Sequence, residues 1–193
     1  MNDTIARQLA ASAAVKEHLR RDHVNTIAAM AEALVATVRS GGCVYLCGNG
    51  GSAADAQHMA GEFVGRFLRE RRAFPAVALT TDTSVLTAIG NDYGFNTVFE
   101  RQVEALVGPG DCLLGISTSG RSPNVVRALE AARRRGARTL ALTGPDGGDL
   151  AECADICLCV PGDPTPRVQE GHLTVIHILC DLVESACGEQ AGE

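Results

Sequence analysis

Five short, nearly unbroken apolar runs, at residues 44–47, 76–79, 112–116, 139–142 and 156–160, are separated by stretches in which apolar and polar residues mix. The runs have the length of buried strands. The stretches at 52–69, 84–89, 98–106 and 123–135, with a short one after Gly147-Gly148, read as helices. Two further helices, 4–20 and 24–40, precede any strand, the second stopping at Gly41-Gly42, and a last one runs from about 167 to 186. Strands alternating with helices require right-handed crossovers, so the pattern predicts an α/β fold with a parallel sheet covered on both faces. Local signals agree. Asp82-Thr83-Ser84 and Ser122-Pro123 mark helix starts, with Pro123 where its missing N–H costs least, and Gly136 ends the helix before it.

The last helix departs from ordinary amphipathic spacing. Leu173, Val175, Ile176, Ile178, Leu179, Leu182 and Val183 leave hardly any polar face. A helix apolar nearly all round is buried on every side, and a sheet covers only one. With the two leading helices it predicts a helical layer packed against other subunits, hence a homo-oligomer; a deeply buried helix in a monomer is the alternative.

At 193 residues and 46% hydrophobic, the chain reads as one domain over 1–193, with a disordered tail at 188–193. A net charge of −6 opposes nucleic acid, the run Arg133-Arg134-Arg135 is too short for a basic patch, and the lack of Trp leaves no stacking platform for single strands. The N-terminus mixes charges without an apolar stretch, so no signal peptide, no membrane span and a cytoplasmic protein are expected. Eight cysteines without a C-x-x-C pair, several in or beside apolar runs, are expected to be reduced core residues.

Two turns carry the chemistry. Cys47-Gly48-Asn49-Gly50-Gly51-Ser52-Ala53-Ala54-Asp55 and Ile116-Ser117-Thr118-Ser119-Gly120-Arg121-Ser122-Pro123 each join a strand to a helix. They present hydroxyls and backbone N–H groups where a helix begins, which suits a phosphate. Hydroxyls in such places also serve as simple caps, but a cap needs one and the second turn crowds four into six residues. The first turn fits G-x-G-x-x-G/A through Gly48, Gly50 and Ala53, yet Asp82 lies well beyond the spacing a dinucleotide-binding unit requires. A phosphorylated small molecule ranks above a dinucleotide.

His58 and Glu62, four apart, share a helix face and suit a metal or a base with its partner, or else form an ordinary surface contact. Arg66 extends that face and can hold an anion or pair with Glu62. On the last helix Gln169, Glu170, His172 and His177 interrupt the apolar block. Spacing aligns Glu170 best with His177 and Gln169 less directly, and leaves the choice open.

Together these residues resemble the phosphoheptose isomerase family, bacterial sugar isomerases of the SIS class. The motifs are CGNGGSAADAQHMAGEF, ALTTDTSVLTAIGNDYGF, GISTSGRSPNV, LTGPDGG and RVQEGHLTVIHILCDLVE. The resemblance implies a three-layer αβα sandwich with a five-stranded parallel sheet, two leading helices and a buried C-terminal helix. It implies conversion of D-sedoheptulose 7-phosphate to D-glycero-D-manno-heptose 7-phosphate, the first step towards nucleotide-activated heptose for cell-surface polysaccharide such as lipopolysaccharide. It also implies a homotetramer with active sites between subunits. The family's zinc-ligand pattern, one ion per subunit, falls on His58, Glu62, Gln169 and His177, resolving the last-helix choice in favour of Gln169. Its substrate-binding pattern falls on Asn49, Gly50, Gly51, Glu62, Asn91, Asp92, Ser117, Thr118, Ser119, Ser122 and Gln169; outside that pattern, Ser52 is added as support for the phosphate grip and Arg66 for its place on the His58–Glu62 face. Combined with side-chain chemistry, it makes Glu62 the base and His177 the acid or proton shuttle of an enediol or enediolate mechanism. Relatives of the same fold that only bind, either to a replication initiator or to sugar phosphates as sensors, are the alternative, as is an isomerase of another sugar phosphate.

Overall fold

A computed structural model describes residues 1–188; of the expected tail, everything after Gly188 lies outside the described residues. Helices α1 (Asn2–Asp22) and α2 (Val24–Arg39) lead into β1 (Val44–Gly48), α3 (Gly51–Val64), β2 (Ala76–Ala78) and α4 (Thr83–Tyr93). After a 3-10 turn at Phe95–Thr97 come α5 (Glu100–Leu106), β3 (Cys112–Ser117), α6 (Pro123–Arg134), β4 (Arg138–Thr143), α7 (Leu150–Cys153), β5 (Ile156–Cys159) and α8 (Thr165–Cys187). The five strands form one parallel sheet in the order β2-β1-β3-β4-β5. Val44 pairs with Ala76 on one side and Cys112 on the other, fixing the register of the centre.

Strand residues alternate between two cores, as the pleat requires. Val44, Leu46, Leu114, Ile116, Leu140 and Leu142 face a layer made by α1, α2, α3 and α8, around Met30, Leu34, Met59, Phe63, Val175 and Leu179. Tyr45, Cys47, Leu113 and Ala141 face the layer of α5, α6 and α7, around Val103, Val125, Leu129 and Leu150. Three layers result. All eight cysteines are free; burial pushes the thiols of Cys47, Cys112 and Cys180 up to about 12, while Cys43, Cys157 and Cys159 are only half-buried.

One expectation needs correction. The helix expected over 52–69 ends at Val64, because Gly65 leaves helical geometry (φ −79°, ψ −115°) and the chain runs irregularly to Phe74. The last helix, expected to find cover outside its own chain, is indeed not covered on every side within it. Ile178 and Leu182 remain about 40% exposed and, with Leu19, Val24 and Ile27, line an apolar groove of about 410 Å³. Among the described residues no helix is long and apolar enough to cross a membrane.

Candidate active site

From β1 the chain steps outward to β2, and from β3 it steps the other way to β4 and β5, so the strand order reverses between β1 and β3. Crossovers diverge at such a point and leave a crevice at the carboxyl ends of the two strands. Both serine- and glycine-rich turns lie there, one after β1 and one after β3, each leading into the N-terminus of a helix, α3 or α6.

The turn after β3 gathers its hydroxyls. Ser117 Oγ lies 2.8 Å from Ser122 Oγ and 3.3 Å from Ser119 Oγ, and Ser119 Oγ accepts from the Arg121 N–H at 3.2 Å. Ser122 holds the N-cap position of α6 but caps no N–H of that helix; its hydroxyl is turned to Ser117 instead. Asp82, by contrast, caps α4 through the Val85 N–H at 2.9 Å. Capping therefore does not account for the serine cluster. Gly120 closes the turn at φ +65°, and a Cβ there would stand 2.1 Å from the Gly147 carbonyl oxygen, so no side chain fits. The two turns are joined by a reciprocal amide pair, Asn49 with Asn124, both hydrogen bonds 2.9 Å. Asn124, buried in the first turn of α6, is a residue the sequence reading missed; a polar amide on the inward side of an apolar helix was its only signal.

Helices α3 and α8 bring a second group together. His58 Nε2 and His177 Nε2 stand 2.8 Å apart, and Glu62 Oε1 is 3.5 Å from His58 Nε2. The Phe67 ring stacks on the other imidazole, His177, at 5.7 Å between centroids. Gln169 reaches the start of α3, where a Cβ on Gly51 would come within 2.4 Å of its Nε2. Glycine at 51 thus leaves room for the Gln169 amide at the start of α3. Beside Gln169, Asp55 is buried with Oδ2 unpartnered; desolvation raises its carboxyl, opposed by the Gln169 amide and the His58 charge.

Other expected residues lie elsewhere. Arg66 falls past the end of α3 and pairs with Glu70 at 3.4 Å, not with Glu62. Asn91 and Asp92 are exposed on α4 and bond each other at 2.8 Å, with no hydrogen bond to either group among the described residues. Glu170, the best-aligned partner by spacing, pairs with Arg167 at 2.9 Å, because His177 turns across to α3. His172 is wholly buried, bonded through Nε2 to the Thr143 carbonyl at 2.9 Å with Nδ1 unpartnered, and desolvation lowers it to about 4. Thr118 and Ser119 line the turn mouth, and Ser52 is buried in the first turn of α3.

For a metal, the donor types suit zinc, and three of the four expected donors are neighbours. The two Nε2 atoms sit closer than two zinc-bound imidazole nitrogens, which tetrahedral bonds place about 3.3 Å apart. Among the described residues no three such side chains stand ready as a cage, and Gln169 leans towards Gly51 and Asp55. The donor chemistry suits the ion, but the observed geometry is not that of a formed metal site.

Residues 9–144 match the SIS domain family. The phosphoheptose isomerase of Geobacter sulfurreducens is 58% identical over 184 residues, 95% of this chain and 97% of that protein. The chain belongs to the phosphoheptose isomerase family. Among solved structures, the phosphoheptose isomerase of Neisseria gonorrhoeae superposes with a TM-score of 0.90 at 46% identity, covering 95% of this chain and 98% of that one. That of Francisella tularensis gives 0.91 at 39% identity, over 95% and 97%. The phosphoheptose isomerase fold, with its five-stranded parallel sheet, two leading helices and long C-terminal helix, is the one the sequence led us to expect.

Proposed function

We propose that this chain interconverts D-sedoheptulose 7-phosphate and D-glycero-D-manno-heptose 7-phosphate through an enediolate. The observation that carries the reading is that the turn starting α3 is bonded through Asn49 and Asn124 to the start of α6, where the hydroxyls cluster, while α3 itself carries His58 and Glu62 against His177. Ser117, Thr118, Ser119 and Ser122, with the N–H groups at the starts of α3 and α6, hold the 7-phosphate. That grip on the remote end places the sugar's C1–C2 edge, so binding energy far from the reaction serves positioning.

Glu62 takes the proton from C1 of the ketose and returns it to C2, while His177 carries the proton lost from the C1 hydroxyl to the oxygen on C2. The facing Nε2 atoms support a shuttle, since one must carry a hydrogen and the other a lone pair for a hydrogen bond. Zinc held by His58, Glu62, Gln169 and His177 would supply Lewis-acid stabilisation of the enediolate oxygens. A carboxylate engaged by an ion is a weaker base, so either the ion would be mainly structural or Glu62 would act as base when not coordinated. Asn91 and Asp92, exposed on α4 and bonded to each other, would join a site only across a subunit boundary. The apolar groove along α8 supports assembly into a homotetramer, with the sites lying between subunits.

Incubation of purified protein with sedoheptulose 7-phosphate in deuterium oxide, followed by NMR, tests the reading. The aldose is expected, with deuterium at C2 to the extent that the proton held by Glu62 exchanges with solvent before its return. No conversion, with or without added zinc, overturns it in favour of a binding protein.

A further inference from the structure

The irregular segment after α3, residues 65–73, is tied down by side chains that the mechanism leaves unused. Glu184 on α8 is 1% exposed and accepts three successive backbone N–H groups: Phe67 at 2.8 Å, Leu68 at 2.7 Å and Arg69 at 2.8 Å. Its partner Arg71, equally buried, places Nε 3.3 Å from Glu184 Oε1. The Arg71 guanidinium donates to the Phe63 and Gly65 carbonyls at 2.9 Å and to the Glu62 carbonyl at 2.7 Å, and lies 3.9 Å above the Phe74 ring.

One buried ion pair therefore grips both sides of the reactive cluster. Through Arg71 it holds the backbone of Glu62 and the end of α3; through Glu184 it fixes Phe67, whose ring is stacked on His177 at an interplanar angle of 26°. An apolar pair can fill such a place at equal stability, so an ion pair there calls for a geometric reason. We propose that Glu184 and Arg71 are positioning residues for the isomerisation: they set the 65–73 loop so that Phe67 holds the His177 ring facing His58 and Glu62. Phe67 is the transmitting contact.

The proposal rests on the isomerase reading, and its test separates the two. In the zinc-loaded enzyme, Glu184→Gln is expected to lower kcat roughly tenfold to a hundredfold, the loss a misplacement of about 1 Å produces, with KM within about twofold because the phosphate grip is untouched. Amide exchange at residues 67–69 should quicken, and the NMR resonances of the His177 ring should move as the Phe67 ring current is lost. Should Glu184→Gln fail to fold, Phe67→Ala carries the test: the same kcat loss and ring shift, both restored by Phe67→Tyr. An unchanged kcat in a folded Phe67→Ala protein, or quicker exchange in Glu184→Gln without movement of the His177 resonances, overturns the proposal. If the wild-type protein converts no sugar, the isomerase reading fails, yet the ring resonances still decide whether the loop positions His177.

Discussion

The two halves of the crevice are built by different means. The proposed phosphate end is made by backbone and short side chains that bond one another: Ser117 to Ser122, Asn49 to Asn124, and Gly120 pressed against Gly147. The reactive end is made by long side chains from two helices, His58 40% exposed and Glu62 22%, touching only at their tips. A phosphate changes little during the reaction, so its site gains from being rigid. In the proposed reaction the other end exchanges protons and would hold an ion, so its groups are left with open valences. Rigid binding and reactive freedom are thus assigned to different residues, with α3 starting beside one group and carrying part of the other.

Removing the base gives the sharpest test of that division. Glu62→Gln keeps the size of the side chain and a polar contact to His58 but cannot take a proton. Its kcat is expected to fall roughly 10²- to 10⁴-fold, the usual share of general acid–base catalysis, with substrate affinity nearly unchanged. Turnover by NMR and titration calorimetry with the sugar phosphate check the two halves of that statement. A comparable loss of affinity would mean that the reactive end also carries binding.

The opposite substitution lies in the cradle. Ser117→Ala removes the hydroxyl shared by Ser119 and Ser122. A hydrogen bond to a charged group contributes about 1.5–3 kcal/mol, so KM should rise roughly tenfold to a hundredfold, and inhibition by inorganic phosphate should weaken in step. A fall in kcat alone would place the phosphate elsewhere.

Two histidines five residues apart on α8 extend the comparison to pH. His172 belongs to the fold, and burial holds it at about 4, below its ordinary 6.5. The unfolded chain binds that proton first, so the stability contribution is fully present above pH 6.5 and is lost as pH falls towards 4. Urea unfolding at pH 7 and pH 5 should differ by about 2 kcal/mol from this group, at about 1.4 kcal/mol per pH unit. His172→Gln, which keeps an amide donor for the Thr143 carbonyl, should flatten that slope. A slope unchanged by the substitution would assign the acid sensitivity to other groups.

How much of this could be read along the chain follows the same line. Strands expected at 112–116 and 139–142 lie within Cys112–Ser117 and Arg138–Thr143, because parallel strands buried on both faces are written as local apolar runs. The cradle was legible for the same reason: each turn is contiguous. The reactive cluster was legible in its members but not in its pairings. Spacing favoured Glu170 for His177, whereas the partner is His58, 119 residues away. Residues 66–69 carry charges and apolar groups that continue a helical pattern, and only the carboxylate of Glu184, more than a hundred residues later, claims the N–H groups of 67–69. Long-range satisfaction of backbone groups leaves no local mark.

The smallest expected effect separates two hydroxyl- or carboxyl-bearing helix starts that look alike in sequence. Asp82 caps α4 through the Val85 N–H, whereas Ser122 stands at the same position of α6 and caps nothing. Losing an N-cap costs about 1 kcal/mol, so Asp82→Ala should lower the unfolding free energy measured in urea by that amount. Ser122→Ala should leave that free energy within about 0.5 kcal/mol of wild type, as a substitution away from caps and core does, while KM rises as for Ser117→Ala. If Ser122→Ala instead destabilises the protein as Asp82→Ala does and leaves KM alone, the serine turn is a cap after all and the phosphate loses its seat, so this slight difference in stability bears on the whole assignment of the crevice.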